Sequence, residues 1–296
     1  MTCMRFTLLL LFLIQGIGCG TMESLYHTVM PGDDDGLKKR VWVIPFLDQA
    51  GVGEPKMAEI TADLEGLLEK TGRFVVMKGI ETTSSPQIIL TPGLAFILSP
   101  ALIKSADEMG INVMVVGALR PFETDRRREG IWPFRKTRQK VDISVLVNAV
   151  DVIDGGFLLS HLENVDEEYS SSGEGEERKS TLKRETLDAA LSEILESQAD
   201  KIVAELRAHP WRGRVTSADA GGFLVNGGED VGLENGSVLE VYGTEGSVRS
   251  ADGRILPLLG DKVGEIEVVK VLDSSVEATP LTGGPFEAGQ VVQKKR

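Results

Sequence analysis

Two groups of side chains in this chain of 296 residues have the types and spacing to do chemistry. The first is a single thiol. Cys19 follows Gly16, Ile17 and Gly18, and the two glycines let the chain lie extended in a peptidase groove. Sulfur is the only strong nucleophile there, so the position suits covalent transfer of a group onto it. The second is a cluster of cations: Arg126, Arg127, Arg128, Arg135, Lys136, Arg138 and Lys140 surround Trp132, Pro133 and Phe134. Guanidinium forks match carboxylate and phosphate oxygens, and an amphipathic Trp beside them adds an apolar anchor. Arg126, Arg127, Arg128, Trp132, Phe134 and Arg135 are therefore the candidate partner-binding residues, suited to anionic headgroups, polyanionic polymers or an acidic protein. The alternative is a solvated hairpin tip with its aromatics folded back on a sheet.

Other chemistry finds little support. Glu163, Asp166, Glu167, Glu168, Glu174, Glu176 and Glu177 flank a Ser and Gly run. They could complement the basic segment within one molecule or between neighbours in a ring, but a flexible, solvated loop is the expectation. His27, His161 and His209 hold no metal-ligand spacing. Gly51 and Gly53 lack the remainder of a phosphate-cradling motif, and Asp33, Asp34 and Asp35 lack the alternation of a calcium loop. No catalytic residue, metal or cofactor is expected, although a carboxylate pair in a cleft stays open as a hydrolase alternative.

The residues before Cys19 give the thiol its meaning. One charge, Arg5, precedes an apolar run from Phe6 to Ile14, the pattern of a secretory signal and too short for the ~20 residues of a membrane-spanning helix. With Cys19 after Gly18, the leader resembles the bacterial lipoprotein signal, with Gly16 where that motif usually has Leu. The resemblance implies cleavage before Cys19 and acylation of its sulfur. Gly20, not Asp, implies passage to the outer membrane. Cys3 is the other of the two cysteines and leaves with the leader, so no disulfide or thiol site is expected in the mature chain. The net charge of −13 repels nucleic acid, which is not expected as a partner.

The elements that must position these groups follow from periodicity. Residues 19 to 39 are polar and breaker-rich and read as a tether. Val41 to Phe46 form a buried strand, and Met57, Ile60, Leu64, Leu67 and Leu68 behind Pro55 predict a helix over 54–70. A strand follows at 74–77. Residues 80–98, broken by Pro86 and Pro92, carry no assignment. Ser99 and Pro100 cap a helix over 99–109, and strands are expected at 113–119, 139–152 and 157–161, the last two joined at Asp154, Gly155 and Gly156. Residues 120–140 read as a charged connection. The longest helix is expected over 181–207 and ends at Pro210. Six short strands then follow, at 212–217, 221–226, 237–242, 262–272, 274–279 and 289–293, and suggest a small barrel. The fold class is α+β: an α/β sandwich of a mixed sheet with helices, then a small SH3-like β-barrel.

Two family resemblances attach to these elements. Val41 to Phe46, then Thr71 to Phe74, Gly110 to Gly117 and Asp151 to Gly155, resemble the periplasmic α/β domain of the curli-secretion (CsgG-type), TolB amino-terminal and penicillin-binding-protein-activator families. Gly228, Gly232, Leu233, Gly236 and Val241 resemble the carboxy-terminal barrel of flagellar assembly protein T. The expected layout is a signal peptide at 1–18, a lipidated tether at 19–39, the α/β domain at 40–208 and the barrel at 209–296. No spare pair of spanning strands is visible, which argues against a curli-type channel. The expected function is that of a non-enzymatic scaffold or docking component in envelope or surface-appendage assembly. It would face the periplasm and be held by acyl chains in outer-membrane lipid, with assembly proteins or further copies of itself as partners. The alternative of another class is a lipoprotein activator of an envelope enzyme such as a peptidoglycan synthase.

Overall fold

The computed structural model describes residues 36–80, 88–91, 96–129, 131, 136–171, 184–219, 222–249 and 255–295. Cys19, Trp132, Phe134 and Arg135 lie outside the described residues, as does the side chain of Arg128.

A seven-stranded mixed sheet comes first. Strand β1 (Lys39–Val43) is buried along its whole length and runs parallel to β3 (Phe74–Met77) and β6 (Val113–Leu119). Pro45 has no amide hydrogen for a ladder, and the chain resumes pairing as the two-residue β2 (Leu47–Asp48) against β6. The second half of the sheet is antiparallel: β7 (Glu123–Glu129), β8 (Lys136–Asp151) and β9 (Phe157–Ser171). The order is β3-β1-β6-β8-β7, with β9 on the other side of β8.

Both faces of this sheet are covered. Helix α1 (Glu54–Lys70) presents Met57, Ile60, Leu64 and Leu68 at three-to-four spacing, and α3 (Arg184–Ala208) adds Leu191, Ile194, Leu195 and Ile202. They pack on Val41, Val43, Val113, Val115 and the odd-numbered residues of β8 from Val141 to Ala149. Each such aliphatic side chain contributes about 1.5–3 kcal/mol by leaving water. On the opposite face Trp42, Ile44, Met114 and Val116 meet helix α2 (Pro100–Glu108) and a hairpin of β4 (Ile88–Leu90) with β5 (Phe96–Leu98). This hairpin occupies the stretch that sequence alone left unassigned. Ser99 caps α2 by accepting the Leu102 amide. Gly117 lies where Phe46 crosses the sheet; any Cβ there would collide with the Phe46 ring.

The barrel is closed and six-stranded: β10 (Arg212–Asp219), β11 (Gly222–Val225), β12 (Val238–Arg249), β13 (Ile255–Val271), β14 (Val276–Gly283) and β15 (Val291–Lys294), joined in the order β10-β11-β14-β13-β12-β15. Trp211, Val215, Leu239, Val241, Ile266 and Val268 fill it. Gly232 and Gly236, at φ 91° and 83°, make the left-handed turns that lead into β12. Leu37, ahead of β1, is buried in this barrel core rather than in a tether.

Two expectations need correcting. The charged connection at 120–140 is β7 and the start of β8, and the acidic segment is β9 as far as Ser171. Cross-strand pairing of opposite charges turns polar sequence into strand, a signal that hydrophobic periodicity does not contain. Long strands do occur, with 16 residues in β8, 15 in β9 and 17 in β13. Their distal parts are charged in β8 and β9, unlike a lipid-facing wall.

Candidate functional site

The candidate surface is the distal end of the first sheet. β6 ends at Leu119 and the chain continues into β7, so β8 pairs with β6 from Val145 onward and with β7 from Lys136 to Asp142. β9 accompanies β8 along both halves. Beyond Val141 and Val165 none of the described side chains of these strands belongs to a hydrophobic core. Three strands thus leave the body as a ribbon whose register is held by charge. Lys140 Nζ lies 2.7 Å from Asp166 Oδ2, and Arg138 bridges Glu129 at 3.0 Å and Glu168 at 3.4 Å. The hydrogen bond from Lys140 to Asp166 raises the lysine's pKa.

Among the residues singled out from sequence, Arg126 and Arg127 are exposed on β7, opposite Gln139 and Arg138. Arg127 Nε donates to Asp125 Oδ2 at 2.9 Å. Successive strand residues point to opposite faces, so Arg126 and Arg127 do not form one patch. The basic and acidic clusters are brought together within one molecule through β8.

A second polar group lies under the ribbon's base. Glu163 Oε2 accepts from Ser197 Oγ at 2.9 Å and sits 2.9 Å from His161 Nε2. The His161 contact, opposed by partial burial and joined by Ser197, lowers the carboxyl's pKa. A serine nucleophile needs the imidazole between hydroxyl and acid. Here the carboxylate is in the middle and takes the hydroxyl proton's bond itself, so the serine is oriented but not activated. Among the described residues no group of His, Cys, Asp or Glu could hold a metal ion, and no helix is long and apolar enough to cross a membrane.

The place where an open α/β sheet usually takes its ligand, beyond the carboxyl ends of its parallel strands, is filled by the chain itself. Asp48 at the end of β2 accepts the amides of Ala50, Gly51 and Val52 on Oδ1 and that of Gly53 on Oδ2, the last at 2.8 Å and just ahead of α1. Slight burial pushes its pKa up, but the four backbone bonds outweigh it and hold the carboxyl below its ordinary value. The glycines that looked like a broken nucleotide motif serve this aspartate.

Sequence reasoning missed the joint between sheet and barrel. Arg40 is 4% exposed. Its guanidinium grips Asp230 with Nε at 2.7 Å and Nη2 at 2.9 Å, and donates to the carbonyls of Asn226 and Ser274, each at 2.8 Å. Asn112 accepts the Arg40 amide and donates to the Arg212 carbonyl. Arg212 reaches Asp151 and Asp154 on the α/β side, and Arg214 reaches Asp107. Burial raises the pKa of Asp151, against the pull of Arg212. A cavity of about 350 Å³ opens beside this joint, lined by Ile153, Asp154, Arg212, Arg214, Leu258 and Leu259 among others. In sequence, Arg40 is one more charge after Lys38 and Lys39, and no spacing marks it.

No protein-family model matches the chain, and no curated protein matches it. Some solved structures are loosely similar to parts of the chain. A hypothetical protein of Chlamydia trachomatis is 11% identical with a TM-score of 0.32, over 57% of this chain and 96% of that one. A lipoprotein of Neisseria meningitidis is 14% identical with a TM-score of 0.29, over 55% and 99%. TolB of Acinetobacter baumannii is 14% identical with a TM-score of 0.30, over 85% of this chain and 49% of that one. Superpositions this loose assign no function, and the chain is similar to these proteins without being placed in a family by them.

Proposed function

We propose that the protein is a lipid-anchored, non-enzymatic docking or scaffold component at the periplasmic face of the outer membrane, acting in envelope or surface-appendage assembly. One observation carries the reading: a body whose two parts are clamped by buried Arg40 extends a charged three-stranded ribbon away from its cores. A rigid mount with a protruding, easily varied surface suits contact with a partner. The arrangement around Glu163 does not activate its serine, which also favours contact over turnover. The finer likenesses, to the curli-secretion and TolB amino-terminal domains and to an SH3-like barrel of flagellar assembly protein T, belong to this proposal.

The test is crosslinking in intact envelopes followed by mass spectrometry. Arg126→Glu with Arg127→Glu should cut capture of the main crosslinked partner at least tenfold while leaving the thermal midpoint unchanged, and unchanged capture overturns the ribbon's role. Capture of flagellar or fibre components supports assembly. Capture of a peptidoglycan synthase replaces it with enzyme regulation. Cys19→Ser should release the protein to the soluble periplasm; persistence in the membrane fraction overturns the anchor.

A further inference from the structure

The two faces of the distal ribbon settle their charges differently. Residues directly opposite on neighbouring strands share a face. On one face the middle strand β8 carries the cations, and Arg138 and Lys140 bridge to Glu129 on one side and to Glu168 and Asp166 on the other. The second face is the one that, nearer the body, packs on α1 and α3 through Val141. There β8 offers Gln139 and Val141, which carry no charge, while β7 holds Arg126 and β9 holds Glu167. About 10 Å of sheet separates the two outer strands. Among the described residues, neither Arg126 nor Glu167 has an ion pair or a side-chain hydrogen bond. Opposite charges thus stand on opposite edges, with nothing inside the molecule to join them. Both edges are also open: among the described residues, β7 and the distal part of β9 have β8 as their strand neighbour. Their outer backbone donors and acceptors therefore face outward.

We propose that β7 of one copy docks beside β9 of a second copy, bringing Arg126 to the second copy's Glu167. β7 and β9 both run antiparallel to β8, so the added pair is parallel and each face continues from copy to copy. Charge complementarity selects this pairing over its rivals. β7 against β7 would bring Arg126 side chains together, β9 against β9 would do the same to Glu167, and like charges placed opposite each other destabilise a sheet. Backbone pairing supplies attraction, and the charges supply the choice of edge. The contact is head to tail, so every copy offers both halves of it. The inference rests on the docking reading of the ribbon and names its occupant.

The full chain, extracted from envelopes in detergent, is followed by sedimentation velocity over a range of concentrations. Wild type should form species larger than a dimer. Arg126→Glu alone and Glu167→Arg alone should each weaken association about tenfold, with the thermal midpoint unchanged. Joined in one chain they should restore it, because the reversed pair is again opposite in sign. An equimolar mixture of the two single variants should associate as well, since each supplies the sign that the other lacks at both edges. Wild type that stays monomeric at every concentration overturns the inference; if capture in envelopes still falls with Arg126→Glu and Arg127→Glu, the docking reading stands with a different protein as occupant. Association that Glu167→Arg leaves unchanged also overturns it. So does a double reversal that stays as weak as either single one.

Discussion

Arg40 and Arg138 make the same bond, guanidinium to carboxylate, in opposite surroundings. The first is walled in at the joint, with Asp230 and three carbonyls for company; the second is half-exposed on the ribbon, between Glu129 and Glu168. Coulomb attraction at a given distance grows as the dielectric falls, but so does the penalty of removing charge from water. The joint pair is therefore dear to break and the ribbon pairs are nearly free to change. Stability and partner contact are thereby placed in different parts of one molecule.

Breaking the joint should have the largest effect. Arg40→Met leaves Asp230 without its partner and should cost about 3–5 kcal/mol in chemical denaturation, with the barrel melting apart from the sheet. A cost below 1 kcal/mol would erase the contrast. Gly117→Ala, which forces Phe46 out of its place, should cost about 1–3 kcal/mol by the same measurement. It calibrates the joint against ordinary packing.

Asp48 comes next. Asp48→Asn removes an acceptor from the Gly53 amide and should cost about 1 kcal/mol near neutrality. Because its folded pKa is depressed, this contribution is present above the ordinary carboxylate value and disappears as pH falls through the folded one. Wild type and variant should converge in stability at the acid end of a titration. On the ribbon, Arg138→Ala with Lys140→Ala should shift the denaturation midpoint only slightly, and that difference should vanish in 1 M salt. The joint's contribution should survive the same salt, being shielded from the ions.

Much of the fold was legible because it rests on aliphatic period. Ile60, Leu64 and Leu68 announced α1, Ser99 with Pro100 announced α2, and Val113 to Leu119 announced β6, each at or within a residue of its observed bounds. The ribbon was not legible, because Lys140 with Asp166 and Arg138 with Glu168 are partners 26 and 30 residues apart, and a polar run looks like a loop until its opposite number is known. Arg40 was hidden for a related reason: Asp230 lies 190 residues away. The six barrel strands were readable from their turns, but β12 and β13 run further than their apolar cores, past Thr244 and Leu259.

Leu37 is gripped by the barrel and Lys39, two residues later, is already laddered to Phe74 in the sheet. Whatever tugs on the chain ahead of Gly36 does not haul on one part and drag the other behind it. The load arrives at the seam and divides between both, like weight hung from the stitching and not from either piece of cloth.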